Sequence, residues 1–242
     1  MESEGPADKV VFFVGRLCVE DFNEVFLLSA NGCGFGALKI LRGLYERAVT
    51  LAFMSKHPDQ ADMFLEYHYI HQGKMLTHAK PLLDKTRDQI PYEEVRAAEE
   101  LYKTYKAKFR EPLCKKCNTY RTRFSWSLLD LASMARDVGM EGLYFAAYYF
   151  PTLQSHATAS SIINRLEMKT DGHLGFDPEP QRDWCDRALV AAHNVIIHVL
   201  LTQNAYFELV LDDEIQQRMN DFSEIWRRKA PEPKNEENIT MV

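Results

Sequence analysis

Thr152 and His156 stand four residues apart, a spacing that places two side chains on the same face of a helix. Histidine titrates near neutral pH, and neighbouring hydroxyl groups can fix its tautomer, so His156 is a candidate for proton transfer. As a base it could deprotonate water or an RNA 2′-hydroxyl, and as an acid it could protonate a leaving oxygen. The alternative is a structural histidine that caps a buried helix and hydrogen-bonds to Tyr144 or Tyr148.

Arg42 and Glu46 form a second polar pair with the same four-residue spacing, on a predicted helix whose other faces are apolar. A guanidinium in such a place can hold an anionic group such as phosphate, with the carboxylate orienting it. An unpaired charge on a mostly buried helix is costly, so the alternative is an ion pair that holds the helices together. The sequence leaves both interpretations open.

Aromatic residues accompany these polar groups, and the candidate binding residues are Tyr67, Tyr144, Tyr148 and Trp126. Tyrosines commonly pack their rings in the core while the hydroxyl reaches a polar pocket, but the same rings can stack on a nucleobase. Trp126 also adjoins a basic stretch that contains Arg121 and Arg123. That stretch is either an RNA contact or a solvated loop.

The sequence contains no motif of a phosphate loop or a nucleophile triad and no complete set of metal ligands. Cys114 and Cys117 supply half of a zinc site, with no second pair at a usable distance. His68 and His71 could share a helix face, but the Glu-x-x-His pairs of dimetal bundles are missing. We therefore expect no metal and no cofactor.

The overall composition is that of an ordinary globular protein. The chain has 242 residues, of which 46% are hydrophobic, and its net charge of -6 disfavours nonspecific wrapping of duplex nucleic acid. No apolar run approaches the ~18 residues of a membrane span, and the N-terminus lacks the pattern of a secretory signal. Cys18, Cys33 and Cys185 are predicted to be reduced and buried thiols. These features predict a cytoplasmic protein without a membrane partner.

Apolar residues recur at helical spacing along most of the chain, which predicts an all-α fold: a single multi-helix bundle of about seven to eight helices. The predicted organisation is a disordered N-terminus over 1–8, a helical domain over 9–229 with a loop insertion at 110–126, and a disordered tail over 230–242. The long helices are predicted over about 10–30, 35–55, 59–79, 91–109, 182–206 and 207–228.

Two predictions concern the helices around Thr152. Ser127 and Asp130 resemble the capping box of a short helix that Gly139 ends. The segment from Glu141 to Phe150 is apolar around most of its circumference, so we expect a central helix that is buried on all sides. Thr152 and His156 then lie at the end of this helix.

In order along the chain, the residues Arg42, Glu46, Tyr67, Trp126, Ser127, Gly139, Tyr144, Tyr148, Thr152, His156 and Thr158 resemble the pattern of a widespread bacterial family. This all-helical family is catalogued as a domain of unknown function, and the resemblance covers roughly residues 10 to 210. The family usually has serine where Thr152 stands and a small aliphatic residue where Ser155 stands. The resemblance implies a helical fold and no established activity.

The chain is also similar, more loosely, to the HEPN superfamily of small helical bundles. Many members dimerise and cleave RNA without a metal, through an Arg-x(4 to 6)-His motif on a late helix. Arg187 and His193 fit that spacing. The similarity implies that these two residues could serve as an acid–base pair.

Two functional hypotheses follow. The first is a prokaryotic defence or toxin-like ribonuclease of the HEPN type, in which His156, or the pair Arg187 and His193, moves protons and Arg42 holds phosphate. The second is a non-catalytic helical module that binds a protein or a small ligand. The candidate partners are a second copy of the chain, in a homodimer, and RNA or a nucleotide. The hypotheses differ in whether the polar groups converge in an open cleft or are saturated by one another.

Overall fold

Two long helices open the chain in the computed structural model, which describes residues 5–83, 92–114, 117–177 and 182–227. Helix α1 spans Pro6–Ala30 and α2 spans Gly34–Lys56, with a turn between them in which Gly32 adopts a φ of 76°. The Asp8 carboxylate accepts the backbone N–H of Gly5 at 2.8 Å, so α1 begins within the segment 1–8. Residues 1–4 and the predicted tail over 230–242 lie outside the described residues.

The next segments are two helices and a hairpin. A 3₁₀ turn (Pro58–Gln60) leads into α3 (Ala61–Leu83), and α4 (Tyr92–Lys106) packs against α3. Strands β1 (Arg110–Cys114) and β2 (Thr119–Thr122) then pair antiparallel, with Arg110 opposite Thr122 and Pro112 opposite Tyr120. The predicted loop insertion at 110–126 therefore contains a short hairpin, because Tyr120 and two threonines favour extended backbone.

Shorter elements precede the last two helices. They are α5 (Leu131–Asp137), a 3₁₀ turn (Glu141–Leu143), a π-helical turn (Phe145–Tyr149), α6 (Phe150–Ser155), α7 (Ala159–Ile163) and the hairpin of β3 (Leu166–Met168) and β4 (Leu174–Phe176). Helices α8 (Arg182–Phe207) and α9 (Asp212–Trp226) follow. The described residues thus hold nine α-helices and two small hairpins, which confirms the predicted all-α class.

The helix around Tyr148 is not buried on all sides, and that prediction is wrong. Of the π-helical turn only Ala147 is fully buried, whereas Phe145 is 66% exposed and Tyr149 is 49% exposed. The backbone N–H of Phe150 donates to the Phe145 carbonyl, five residues back, which widens the turn. The two exposed rings stack on each other, with centroids 5.9 Å apart, so these aromatic residues contact one another instead of packing in the core.

Helix α5 begins three residues later than the capping-box pattern predicts. Its N-cap is Asp130, whose carboxylate accepts the Ser133 N–H at 2.8 Å. The Ser127 hydroxyl instead accepts the N–H of Leu129 at 2.9 Å, which makes a local turn ahead of the helix. Gly139 follows the helix with a φ of 73°, as expected of a residue that ends one.

The five cysteines are free thiols, and two of the three predicted buried ones are buried. Burial, reinforced by the nearby Asp21 carboxylate, raises the pKa of the Cys18 thiol to about 12. Cys185 is also buried, and burial raises the pKa of its thiol. The prediction for Cys33 is wrong, because this residue lies exposed in the turn before α2.

The described residues divide into two compact units. The first draws on Met1–Arg16 and Val49–Gly142, and its aromatic core contains Tyr67 and Phe109. The second draws on Leu17–Ala48 and Leu143–Val242. Its fully buried residues include Leu38 and Tyr45 on α2 and Val195 on α8.

The length and composition of helix α8 bear on the expectation that the protein has no membrane partner. It is the one helix in the described ranges that is long and apolar enough to cross a membrane, a test that core helices of globular proteins also pass.

A buried asparagine joins α8 to α9. Asn204 is 6% exposed, its side-chain amide donates to Asp212 at 3.0 Å, and its side-chain oxygen accepts the N–H of Leu211 at 2.8 Å. The intervening Val210 has a φ of 58°, a strained conformation for a β-branched residue. The Asn204 hydrogen bonds therefore hold a strained turn and position α9 in the second unit.

Candidate functional site

Arg42 is held by three groups of the second unit. Its Nε donates to the Thr152 hydroxyl at 3.1 Å, and its Nη2 lies 2.8 Å from Glu46 Oε1. The guanidinium carbon lies 5.4 Å from the centroid of the Tyr148 ring, over its face. The predicted pair of Arg42 and Glu46 therefore forms, and the arginine side chain is 30% exposed. Arg42 also bonds to Thr152 on a second helix.

Thr152 connects the Arg42 side chain to the backbone of the helix that contains Thr152. Its hydroxyl donates to the Tyr148 carbonyl at 2.7 Å. A hydroxyl has a single proton, so this bond leaves the oxygen lone pairs to accept from Arg42. Pro151, which has no N–H to donate, precedes Thr152 directly, and the π-helical turn lies just before it. The result is a relay from Arg42 through Thr152 to Tyr148, which ties α2 to the helix that carries the π-helical turn.

The tyrosines predicted to bind form a cluster behind this relay. Tyr45 is fully buried, and the rings of Tyr144 and Tyr148 lie 6.3 and 6.2 Å from its ring. Tyr144 and Tyr148 are 5.1 Å apart and half-buried. Their rings therefore pack against one another, as expected of core aromatics.

His156 lies at the exposed end of α6, where its backbone N–H donates to the Thr152 carbonyl at 3.3 Å. The neighbouring hydroxyls bond to the backbone instead of to the imidazole: Ser155 donates to Pro151 at 2.8 Å and Thr158 to Leu153 at 2.6 Å. Within the described parts of the chain the imidazole has no hydrogen-bond partner. Neither the predicted hydroxyl partners nor the alternative bond to Tyr144 or Tyr148 forms.

Arg187 and His193 share α8 but face different directions. Six residues correspond to about 600° around a helix, which leaves the two side chains about 120° apart. His193 donates from Nδ1 to the Leu189 carbonyl at 2.9 Å, since a carbonyl can only accept. Its ring lies between Phe22, at 5.0 Å, and Phe222, at 4.7 Å. His193 is thus enclosed by its own unit, and the structure does not bring it together with Arg187.

Tyr67 and Trp126 belong to the first unit and pack in its aromatic core. Tyr67 is 2% exposed and donates its hydroxyl to the Arg123 carbonyl at 2.7 Å. Trp126 packs against Phe64, with ring centroids 5.4 Å apart. The predicted site residues are therefore divided between two units, and the second holds the remaining eight: Arg42, Glu46, Tyr144, Tyr148, Thr152, His156, Arg187 and His193.

The second unit also contains a cavity of about 570 Å³ that the sequence does not predict. Its apolar lining comes from α2, the 3₁₀ turn of Glu141–Leu143, the π-helical turn, α6, α8 and α9, and comprises Leu38, Leu143, Phe145, Ala146, Phe150, Val190, Ala191 and Trp226. Three polar residues of α8 complete it: Asp186, Arg187 and Asn194. The spacing of Arg187, Val190, Ala191 and Asn194 could have indicated a shared helix face, but not the cavity opposite it.

The described residues contain no group of three or more histidine, cysteine, aspartate or glutamate side chains placed to hold a metal ion. Cys117 Sγ lies 3.3 Å from the Thr119 hydroxyl, and Cys114 lies in β1.

Replacing Thr152 by valine tests the relay, because valine keeps the shape of the side chain and removes the hydroxyl. We expect the Thr152→Val variant to lose about 1–2 kcal/mol of unfolding free energy in urea denaturation, since the Nε of Arg42 is left without its acceptor. Thr104→Val is a matched control: the Thr104 hydroxyl also bonds four residues back, at 3.0 Å, but on an exposed face of α4 without an arginine. Equal destabilisation of the two variants would contradict the relay.

Comparison with known proteins places the chain in a family. No curated protein and no solved structure matches it. A family model matches residues 8–173, more than half of the chain. The matched segment contains Arg42, Thr152 and His156, and it ends before α8, so Arg187 and His193 lie outside it. The chain belongs to the family of unknown function DUF5677.

Proposed function

We propose that this protein is a helical ligand-binding module whose ligand occupies the cavity of the second unit. The observation that carries the proposal is the cavity itself: its volume of about 570 Å³ lies within the range of roughly 300–1,000 Å³ that small-molecule sites occupy. Such sites are mostly apolar with a few polar groups that orient the ligand, and the lining of this cavity has the same character.

The polar residues of the lining indicate which ligand fits. Arg187 and Asn194 lie at the two ends of the stripe that α8 contributes, with Val190 and Ala191 between them. Seven residues of helix correspond to about 10 Å. A matching ligand therefore has an apolar body of about that length and a polar group at one end or both.

Arg187 can pair with an anionic group on the ligand, and Asp186, the other charged residue of the lining, directly precedes it on α8. Its guanidinium lies 4.7 Å from the Trp184 ring centroid, and no carboxylate pairs with it in the described ranges. At the other end the Asn194 amide donates to the Val190 carbonyl at 2.8 Å, which leaves the side-chain oxygen as an acceptor. The ligand class we propose is an amphipathic anion, such as a medium-chain carboxylate.

The state of the other polar groups also favours binding over chemistry. Arg42, Thr152 and His193 are engaged by their own unit through the contacts described above. A general acid or base must reach the reacting atoms, whereas these groups are occupied by internal bonds. The cavity is lined mainly by side chains that can enclose a ligand but not transfer a proton.

Filling the cavity should abolish binding of an amphipathic anion. We expect anilinonaphthalene sulfonate, which combines aromatic rings with a sulfonate, to bind the native protein saturably with a rise in fluorescence. Ala146 is exposed at the cavity, so Ala146→Trp should fold and weaken binding about tenfold or more, equivalent to ~1.4 kcal/mol. Ala97→Trp, at an exposed position of α4, is the control and should bind as the native protein does. Equal affinities in all three proteins would contradict the proposal.

A second candidate function is a metal-independent ribonuclease of the HEPN type, with His156 as the proton-transfer group. The observation in its favour is that His156 is exposed one turn beyond Thr152, whose hydroxyl accepts from Arg42. A phosphate held by Arg42 would then lie near an accessible imidazole. The pair of Arg187 and His193 lacks comparable support, because the two side chains face different directions.

The ribonuclease candidate predicts cleavage of total RNA that persists in EDTA. His156→Ala should lower the rate about 10²–10⁴-fold, the usual contribution of a general acid or base. His173→Ala, which replaces an exposed histidine of the β3–β4 turn, is the matched control and should cleave at the native rate. Intact RNA after incubation with the folded native protein, or equal rates in both variants, would contradict this candidate.

A further inference from the structure

A second pocket, in the first unit, has the opposite character to the apolar cavity. It has a volume of about 450 Å³ and lies between the end of α4 and the β1–β2 hairpin. Its lining residues are Lys106, Arg110, Tyr120, Arg121 and Thr122. Three of the five are cations, although the whole chain has a net charge of -6. The pocket is thus a local concentration of positive charge.

Two of these cations have no carboxylate partner in the described part of the chain. Lys106 lies over the Tyr102 ring, with Nζ 5.1 Å from its centroid, and Arg110 is exposed on β1. Arg121 is the exception, because its Nε donates to Glu111 at 2.5 Å across the hairpin. A concave site lined by charges of one sign raises the local concentration of counter-ions, so these cations together favour an external anion at the pocket.

A buried arginine adds to this charge. Arg123 directly follows Thr122, is 6% exposed, and has an Nε without a hydrogen-bond partner in the described ranges. Its guanidinium lies over the Phe109 ring at 5.2 Å, and no carboxylate pairs with it there. An uncompensated buried cation is costly, and it raises the positive potential around the hairpin.

Exposed aromatic rings flank the pocket. Tyr120 is 57% exposed on the hairpin, and Phe124 is 77% exposed with the Arg121 guanidinium 4.8 Å from its centroid. Phosphate recognition does not require aromatic rings, whereas rings beside cations are the arrangement that stacks on unpaired bases. Duplexes do not present their base faces, so the arrangement favours a single strand or a free nucleotide.

We propose that the pocket of Lys106, Arg110, Tyr120, Arg121 and Thr122 binds a nucleoside phosphate, supplied by single-stranded RNA or by a free nucleotide. Lys106 and Arg110 hold the phosphate, the Thr122 hydroxyl can donate to it, and Tyr120 stacks on the base. This proposal does not depend on the cavity of the second unit or on any cleavage activity.

The test is fluorescence anisotropy of a labelled short oligouridylate with the native full chain. The site variant Lys106→Gln/Arg110→Gln should raise Kd about tenfold or more, and the slope of log Kd against log salt concentration should fall by about 0.7 for each phosphate that the variant no longer neutralises. The control Lys169→Gln/Arg218→Gln removes two exposed cations of the second unit, and so the same total charge. Tyr120→Leu should weaken binding about fivefold or more without changing the salt dependence.

A competition experiment distinguishes single-stranded RNA from a free nucleotide as the source of the nucleoside phosphate. Displacement of the oligouridylate by uridine monophosphate identifies a free nucleotide as sufficient, and displacement by unlabelled oligouridylate alone identifies the polynucleotide. Either result, with a selective effect of the site variant, supports the proposal. Absence of oligouridylate binding, or equal weakening in the site variant and its charge-matched control, overturns it.

Discussion

The hydrogen bond from Arg42 to Thr152 is the contact from which the polar site of the second unit is built. It joins α2 to the helix that carries the π-helical turn, at a point where Pro151 has removed one backbone donor. The Thr152 hydroxyl both accepts from Arg42 and donates to Tyr148, so a single side chain serves two bonds. Because Arg42 is partly exposed, the bond contributes about 1 kcal/mol and not the larger value of a fully buried ionic contact.

The same two helices carry the relay and line the cavity. Leu38 lies one turn before Arg42 on α2 and lines the cavity, while Phe145 and Ala146 of the π-helical turn line it from the other helix. Tyr148 belongs to that turn but faces Arg42. A relay that fixes the two helices therefore also fixes the cavity walls.

Much of the fold could be predicted from the sequence because helical periodicity is local. The boundaries of α2 and α8 follow from glycine, proline and apolar spacing, and both lie within two residues of the predicted ends. Some errors have equally local causes. Ser127 and Asp130 both resemble helix caps, and only the backbone geometry decides that Asp130 is the cap.

The site was less predictable, because its geometry depends on tertiary packing. The Arg42–Glu46 pair follows from a four-residue spacing, but the acceptor Thr152 is 110 residues away. The different directions of Arg187 and His193 could have been calculated from their six-residue separation. The cavity could not, since its walls come from six separate elements, and neither could the convergence of Lys106 and Arg110 at the hairpin.

Whether the cavity is a binding site can be measured by a methyl NMR titration of the native protein with decanoate, a carboxylate with an apolar chain of about the length of the α8 stripe. We expect saturable shifts of the methyl signals of four residues that line the cavity: Leu38, Leu143, Ala146 and Val190. The methyl signals of Leu101, in the first unit, should stay unchanged. Shifts confined to the first unit, or none at all, would contradict the assignment of the cavity as a binding site.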